Sequence, residues 1–178
     1  MFHHKLLDRL PAYKDIVPVY AVIAFMIYSW SIVSYFKMLS GWTAFLNVKE
    51  ILATSYYVLS ACFLESFSLL GWLLFLCAVL PQSLLRDKFV VRGATTALVS
   101  LLSLMVYWIV FYPEYLFFSV VVIFALTLIA SMLVTRIPFL QIGIVWISDR
   151  LTVFLYLYLP ISFLAMVAII FRNISSWF

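Results

Sequence analysis

Charged residues are scarce in this sequence. Asp, Glu, Lys and Arg together make up 10% of the chain, whereas soluble domains carry about 25%. Apolar residues make up 67%, and the mean hydropathy is +1.19. This balance excludes an ordinary water-soluble domain and predicts an integral membrane protein. Because each membrane span uses about 20 residues, little of the chain remains for a soluble domain, and we expect a single membrane bundle.

Residues that bind metals or catalyse hydrolysis are missing from the apolar segments. The two histidines, His3 and His4, are adjacent near the N-terminus, so their side chains point in different directions on a helix. The apolar segments contain no histidine, no aspartate and no motif of the H-E-x-x-H type. The four glycines are isolated and form no phosphate-binding loop. We therefore expect no catalytic centre, no metal site and no cofactor.

The sequence has only two cysteines, and they cannot form a disulfide with each other. Cys62 and Cys77 lie on one predicted helix, where their spacing in the sequence separates them by about 22 Å. The net charge of +4 does not indicate nucleic-acid binding, because the basic residues are scattered in small groups between apolar segments. That distribution is typical of membrane topology.

Five apolar segments are long enough to cross a bilayer, and the expected fold is an all-α bundle of five membrane-spanning helices. These segments cover residues 16–38, 51–80, 89–112, 115–135 and 151–171. Asp15 is a candidate cap of the first span. A further apolar stretch, 139–148, is too short to cross, and we predict an interfacial or re-entrant segment there. Before the first span, apolar residues recur at helical spacing over 2–10, which predicts an amphipathic surface helix ended by Pro11.

The basic residues also predict the orientation in the membrane. With a cytoplasmic N-terminus, eight Lys and Arg residues face the cytoplasm and three face the outside. The positive-inside rule therefore favours a cytoplasmic N-terminus and, with five spans, a C-terminus outside. If 139–148 crossed the bilayer, the C-terminus would lie in the cytoplasm instead.

Several basic residues of the predicted cytoplasmic face are candidates for contacts with lipid phosphates. They are Arg9, Arg86, Lys88, Arg92 and Arg150. Aspartates flank them, so the alternative is that these residues are solvated topology anchors with local ion pairs. The sequence alone does not choose between these two roles.

A single acidic residue, Glu65, lies in the middle of the longest apolar segment. It is about 21–22 Å from either end of a straight helix over 51–80. An ionisable group at that depth is costly in a lipid bilayer and is a candidate functional site. Because no Lys, Arg or His occurs at comparable depth in another span, we expect a neutral acid that donates a hydrogen bond to a facing helix.

Three stripes of small and polar residues are candidates to surround Glu65. They are Thr54, Ala61, Glu65, Ser68 and Trp72 in the second span, Thr96, Ser100, Ser103 and Tyr107 in the third, and Ala24, Tyr28, Ser31 and Tyr35 in the first. Such residues on one helix face are typical of helix contacts in lipid. We therefore expect the stripes to face each other. The predicted intramembrane polar site consists of Glu65, Thr54, Ser68, Ser100, Ser103 and Tyr107.

Glu65 has three possible roles: a hydrogen bond between helices, a proton or cation site, or a pairing site for a basic residue of another subunit. For the whole chain we predict a non-enzymatic membrane subunit or scaffold that packs with other membrane proteins or with itself. The alternative is a small transporter or channel component that uses Glu65. The sequence contains no internal repeat, which argues against a complete secondary transporter.

Overall fold

The structure, a computed structural model, describes residues 10–80, 87–110 and 116–175. The described residues form an all-α bundle without strands, as predicted. The helices are α1 (Tyr13–Trp42), α2 (Val48–Val79), α3 (Phe89–Val110), α4 (Leu116–Arg136) and α5 (Pro138–Ser175). In these ranges, α1, α2, α3 and α5 are long and apolar enough to cross a membrane, and α4 is apolar over Val121–Arg136. The predicted surface helix, 2–10, lies outside the described residues except for Leu10.

α1 is the central helix of the bundle and packs against α2, α3 and α5. Its segment from Pro18 to Ala24 is buried at every position. A helix that is buried on all sides needs apolar residues around its whole circumference, and this segment provides them. The helix begins at Tyr13 rather than at Ile16. Asp15 therefore lies in its first turn, where a negative charge stabilises a helix N-terminus, and not at the predicted cap.

Side-chain contacts define the directions of the helices. Tyr20 contacts Ser66 and Tyr35 contacts Ser55, so α2 runs antiparallel to α1. Phe25 packs on Phe154 and Tyr28 stacks on Tyr158, so α5 runs parallel to α1. α3 starts beside the first third of α1, where Gly93 faces Val19.

Local sequence explains where α2 begins and ends. The backbone N–H of Asn47 donates a hydrogen bond to the Glu50 carboxylate at 2.8 Å, and this contact stabilises the first turn after Asn47. At the other end, Leu80 has an extended backbone with φ −77° and ψ 155°. Leu80 precedes Pro81 in the sequence, and a residue before proline disfavours the helical conformation. The helix therefore stops at Val79.

α5 is one helix of 38 residues, about 57 Å long, and this corrects the prediction for 139–148. That stretch is not a separate segment, because it forms the first turns of α5, and its position at the membrane surface stays a prediction. The charged pair Asp149 and Arg150 does not interrupt the helix. Both residues are exposed, and the Arg150 guanidinium lies 5.5 Å from the centre of the Trp146 ring.

Candidate functional site

A cleft separates α2 from α3 at the middle of the bundle. Both helices pack on α1 but make little contact with each other. They approach near Gly93, where an added Cβ would lie 3.5 Å from Leu73. Away from this point lies a cavity of about 730 Å³, here called the α2–α3 cleft. Its lining is Ile27, Trp30 and Ser31 of α1, Leu64, Glu65, Ser68 and Leu69 of α2, Leu101, Leu104, Met105, Tyr107 and Trp108 of α3, and Ile123 of α4.

Glu65 lies in the wall of this cleft and is exposed. It is the only charged residue among the described residues that line the cleft. Within the described part of the chain, its carboxyl group forms no hydrogen bond or ion pair with another helix. The predicted hydrogen bond to a facing helix is therefore not observed there, because the cleft separates Glu65 from the opposite wall.

The face of α2 that packs into the bundle is not the predicted one. Its buried residues are Ser60, Cys62, Ser66, Leu70, Leu73, Cys77 and Ala78. From the predicted stripe, Ala61, Glu65, Ser68 and Trp72 are exposed. Both faces of α2 carry small residues that permit close helix contacts. Contacts with Tyr20 of α1 hold the face that carries Ser66 against the bundle. The Tyr20 hydroxyl lies 3.3 Å from the Ser66 hydroxyl, and the Tyr20 ring packs on Phe67.

The cleft brings together half of the predicted polar site. Glu65, Ser68 and Tyr107 line it, and Ser31 of α1 joins them. The other predicted members are Thr54, Ser100 and Ser103, and they lie outside the lining. The Thr54 hydroxyl donates to the Glu50 carbonyl at 2.9 Å, and the Ser100 hydroxyl donates to the Thr96 carbonyl at 2.6 Å. These two hydroxyls bond to their own helix, as serine and threonine commonly do in membrane helices.

The first-span stripe does not surround Glu65 as a unit. Ala24 and Tyr28 are buried, and the Tyr28 hydroxyl forms a hydrogen bond with Ser162 of α5. The Tyr35 hydroxyl bonds to Ser55 at 2.7 Å. Sequence reasoning also missed Trp30 and Trp108, which line the cleft. With 17 Phe, 11 Tyr and 6 Trp in the chain, no local signal distinguished these two residues.

The predicted lipid-contacting residues that the structure describes are Lys88, Arg92 and Arg150. The Lys88 ammonium donates to the Gln141 side-chain oxygen at 3.0 Å, and the Gln141 amide donates to the Thr135 carbonyl at 2.7 Å. This chain of contacts connects the start of α3, the end of α4 and the start of α5. Arg9 and Arg86 lie outside the described residues. Contact of these residues with lipid phosphates stays a prediction.

Both cysteines are free and buried, which confirms that Cys62 and Cys77 do not pair. Among the described residues, no group of three or more His, Cys, Asp and Glu side chains could hold a metal ion. Ser60, on the buried face of α2, has a buried hydroxyl without a hydrogen-bond partner among the described residues. Ser60 lies outside the cleft lining. Among the described residues of that lining, Glu65 differs from the rest in carrying a carboxyl group.

A single carboxyl group in this position is unfavourable for the isolated chain. Glu65 lies about 26 Å from the start of α2 and about 21 Å from its end, near mid-depth. On insertion scales, an aspartate at the centre of a membrane helix costs about 2.5–3.5 kcal/mol, and glutamate carries the same group. A donor or a cation placed in the cleft would reduce that cost.

Comparison with known proteins gives no relative: no protein-family model, no curated protein and no solved structure matches this chain. In the described part of the chain, four helices are long and apolar enough to cross a membrane, which fits an integral membrane protein. Its more specific function is therefore inferred from the α2–α3 cleft and from Glu65.

A spin label at position 68 should be far more accessible to oxygen than one at position 66. Ser68 is exposed in the cleft, whereas Ser66 is fully buried and contacts Tyr20. The labels would be attached to Ser68→Cys and Ser66→Cys in a chain whose Cys62 and Cys77 are replaced by alanine. Paramagnetic resonance in vesicles measures both accessibility and mobility. Equal accessibility at the two positions would contradict the observed orientation of α2 about its own axis, which buries Ser66 and exposes Ser68.

Proposed function

We propose that this protein is a non-enzymatic membrane subunit that binds a transmembrane helix of another protein in the α2–α3 cleft. The observation that carries this proposal is a cavity of about 730 Å³ between helices that pack on α1 and hardly on each other. The cleft is open between the exposed side chains of Leu64 and Trp108, so it can receive an occupant from outside the chain. Such an occupant would gain packing contacts with the apolar and aromatic side chains of the lining.

The residues that line the cleft suit contact with an apolar helix. Leu64, Leu104 and Trp108 are exposed on its two walls, so its mouth opens between α2 and α3. A helix seated there would contact α1, α2 and α3 together and would cover Glu65. Apolar and aromatic side chains on the walls provide the van der Waals packing that drives helix association in lipid. The described lining holds no histidine and no second acid, so we expect no catalysis there.

We also propose a cytoplasmic N-terminus. The contacts of α1 with α2, α3 and α5 bring the starts of α1, α3 and α5 to one end of the bundle. The basic residues of that end are Lys14, Lys88, Arg92 and Arg136, and Arg150 lies about 18 Å from the start of α5. By the positive-inside rule this end faces the cytoplasm, and the end of α5 lies outside.

Filling the cleft should release the partner. The protein purified in mild detergent should carry another membrane protein in fixed stoichiometry, and Ser68→Trp should reduce the bound amount at least about tenfold, the equivalent of 1.4 kcal/mol. Gly143→Trp is the matched control, because a Cβ there meets no atom within 4 Å and Gly143 is not part of the cleft lining. Quantitative mass spectrometry measures the ratio. A monomer without a partner, or a partner retained by Ser68→Trp, would count against the proposal.

A second candidate function is a transporter or channel component. It is favoured by the position of Ser31, Ser68 and Tyr107 around the same cleft as Glu65, because carboxyl and hydroxyl groups bind protons and cations. In vesicles that contain only this protein, a proton or cation flux that is lost in Glu65→Gln would favour the second candidate over the first.

A further inference from the structure

We infer that the helix received by the α2–α3 cleft carries a lysine or arginine at mid-depth, and that this residue pairs with Glu65. The inference rests on the proposed function, and it specifies the chemistry of the partner. It follows from the charge of the cleft, from the hydroxyl groups near that charge, and from the positions of the chain's own basic residues.

The charge of the cleft selects a cation. Glu65 is the only charged residue among the described residues of the lining, which are otherwise apolar, aromatic or hydroxyl-bearing. An apolar helix seated there would cover the carboxyl group without compensating for it. A basic residue is also unfavourable alone in the bilayer. Binding of the partner helix therefore lowers the energetic cost of both charged groups, because they pair with each other in the complex.

The hydroxyl groups of the lining complete a site for an ammonium or guanidinium group. A lysine ammonium has three N–H donors, and an arginine guanidinium has five. Glu65 would accept part of them, and Ser31 and Ser68 line the same cleft and would supply further acceptors. Ser31 belongs to α1, and Ser68 belongs to α2 together with Glu65. The acceptors therefore come from two helices. Such an arrangement suits a group that enters from the mouth of the cleft.

A second copy of this chain does not supply the cation. Of the eight Lys and Arg residues in the described part of the chain, seven lie within about two turns of a helix end. The exception is Arg150, which lies about one third along α5 and covers the Trp146 ring of its own helix. We therefore expect the complementary charge to come from a different protein.

The test uses designed helices as probes. The full chain, with a photoreactive benzoylphenylalanine in place of Leu104 in the cleft, is reconstituted in phosphatidylcholine vesicles. The probes are leucine–alanine transmembrane helices that carry a single central Lys, Leu or Glu. Crosslinking to the Lys helix should exceed crosslinking to the Leu helix about tenfold, as expected for a close charged pair. Glu65→Gln should abolish this preference, Gly143→Ala outside the cleft lining should keep it, and Glu65→Lys should transfer it to the Glu helix.

The outcomes separate the inference from the proposed function. Equal crosslinking of the Lys and Leu helices, both reduced by Ser68→Trp, would overturn the ion pair and leave helix binding in place. If no probe crosslinks above the level seen with Ser68→Trp, both the ion pair and helix binding in the cleft are overturned. Crosslinks only between copies of the chain would also overturn the inference. If the Glu65→Gln variant crosslinks the Leu helix to the same extent as the protein with Glu65, the variant still folds.

Discussion

Replacing Tyr28 with alanine should lower the free energy of unfolding of the bundle by about 3–5 kcal/mol, the range for large aromatic side chains in protein cores. Tyr28 is only 1% exposed and lies between α1 and α5. Its ring stacks on Tyr158 with centroids 4.5 Å apart, and its hydroxyl bonds to the buried Ser162. Truncation removes the stacking, leaves a cavity and deprives Ser162 of its partner, so three losses add at one position.

Unfolding in mixed micelles, followed by circular dichroism, measures this effect. Tyr156→Ala is the matched control, because this tyrosine of α5 is 83% exposed and should change the free energy of unfolding by less than about 0.5 kcal/mol. Tyr28→Phe and Ser162→Ala, alone and together, isolate the hydrogen bond. Their coupling should be about 0.6 kcal/mol and at most about 1.7 kcal/mol, as for other interhelical bonds in membranes. Similar losses for Tyr28→Ala and Tyr156→Ala would contradict the placement of α1.

Replacing Gly93 with leucine should destabilise the contact between α1 and α3 by about 1–3 kcal/mol, the usual cost of overpacking. A Cβ at this position would lie 3.2 and 3.3 Å from the two methyl groups of Val19 and 3.5 Å from Leu73. The larger leucine side chain has no space there without a shift of α1 or α2. This is also the point where α2 approaches α3, so the substitution should widen the α2–α3 cleft.

Gly71→Leu is the control for this substitution. A Cβ at Gly71 meets no atom within 4 Å, although the residue also lies within a helix. Leucine has a higher helix propensity than glycine by up to about 1 kcal/mol, and both variants share that gain. Their difference in free energy of unfolding therefore reports the clash alone. Gly93→Leu as stable as Gly71→Leu would show that α1 and α3 do not pack closely at Val19.

The sequence alone was enough to predict the membrane environment and the helical class. Apolar runs bounded by charges and prolines can satisfy their backbone hydrogen bonds in lipid only as helices or closed barrels, and their length favours helices. The first, second and third helices accordingly lie close to their predicted ranges. The separation of Cys62 from Cys77 was equally predictable, because it depends only on the rise of a helix.

The continuity of α5 could not be predicted in the same way. Ten apolar residues followed by Asp149 and Arg150 are compatible with a surface segment and with the first turns of a longer helix. The structure selects the helix, since the exposed side of α5 accommodates both charges and Arg150 covers Trp146. Local composition does not contain this information, because it depends on which side of the helix faces the rest of the bundle.

Glu65 marks the division between what sequence and tertiary structure each determine. The sequence by itself determined that one acidic residue lies near the middle of the second long apolar segment. Only the tertiary structure decided that this residue faces a cleft. α2 carries small residues on more than one face, so helical periodicity does not choose between them. Tyr20 contacts Ser66 and Phe67, which are 46 or more residues away in the sequence. With α2 in this orientation, Glu65 and Ser68 line the cleft.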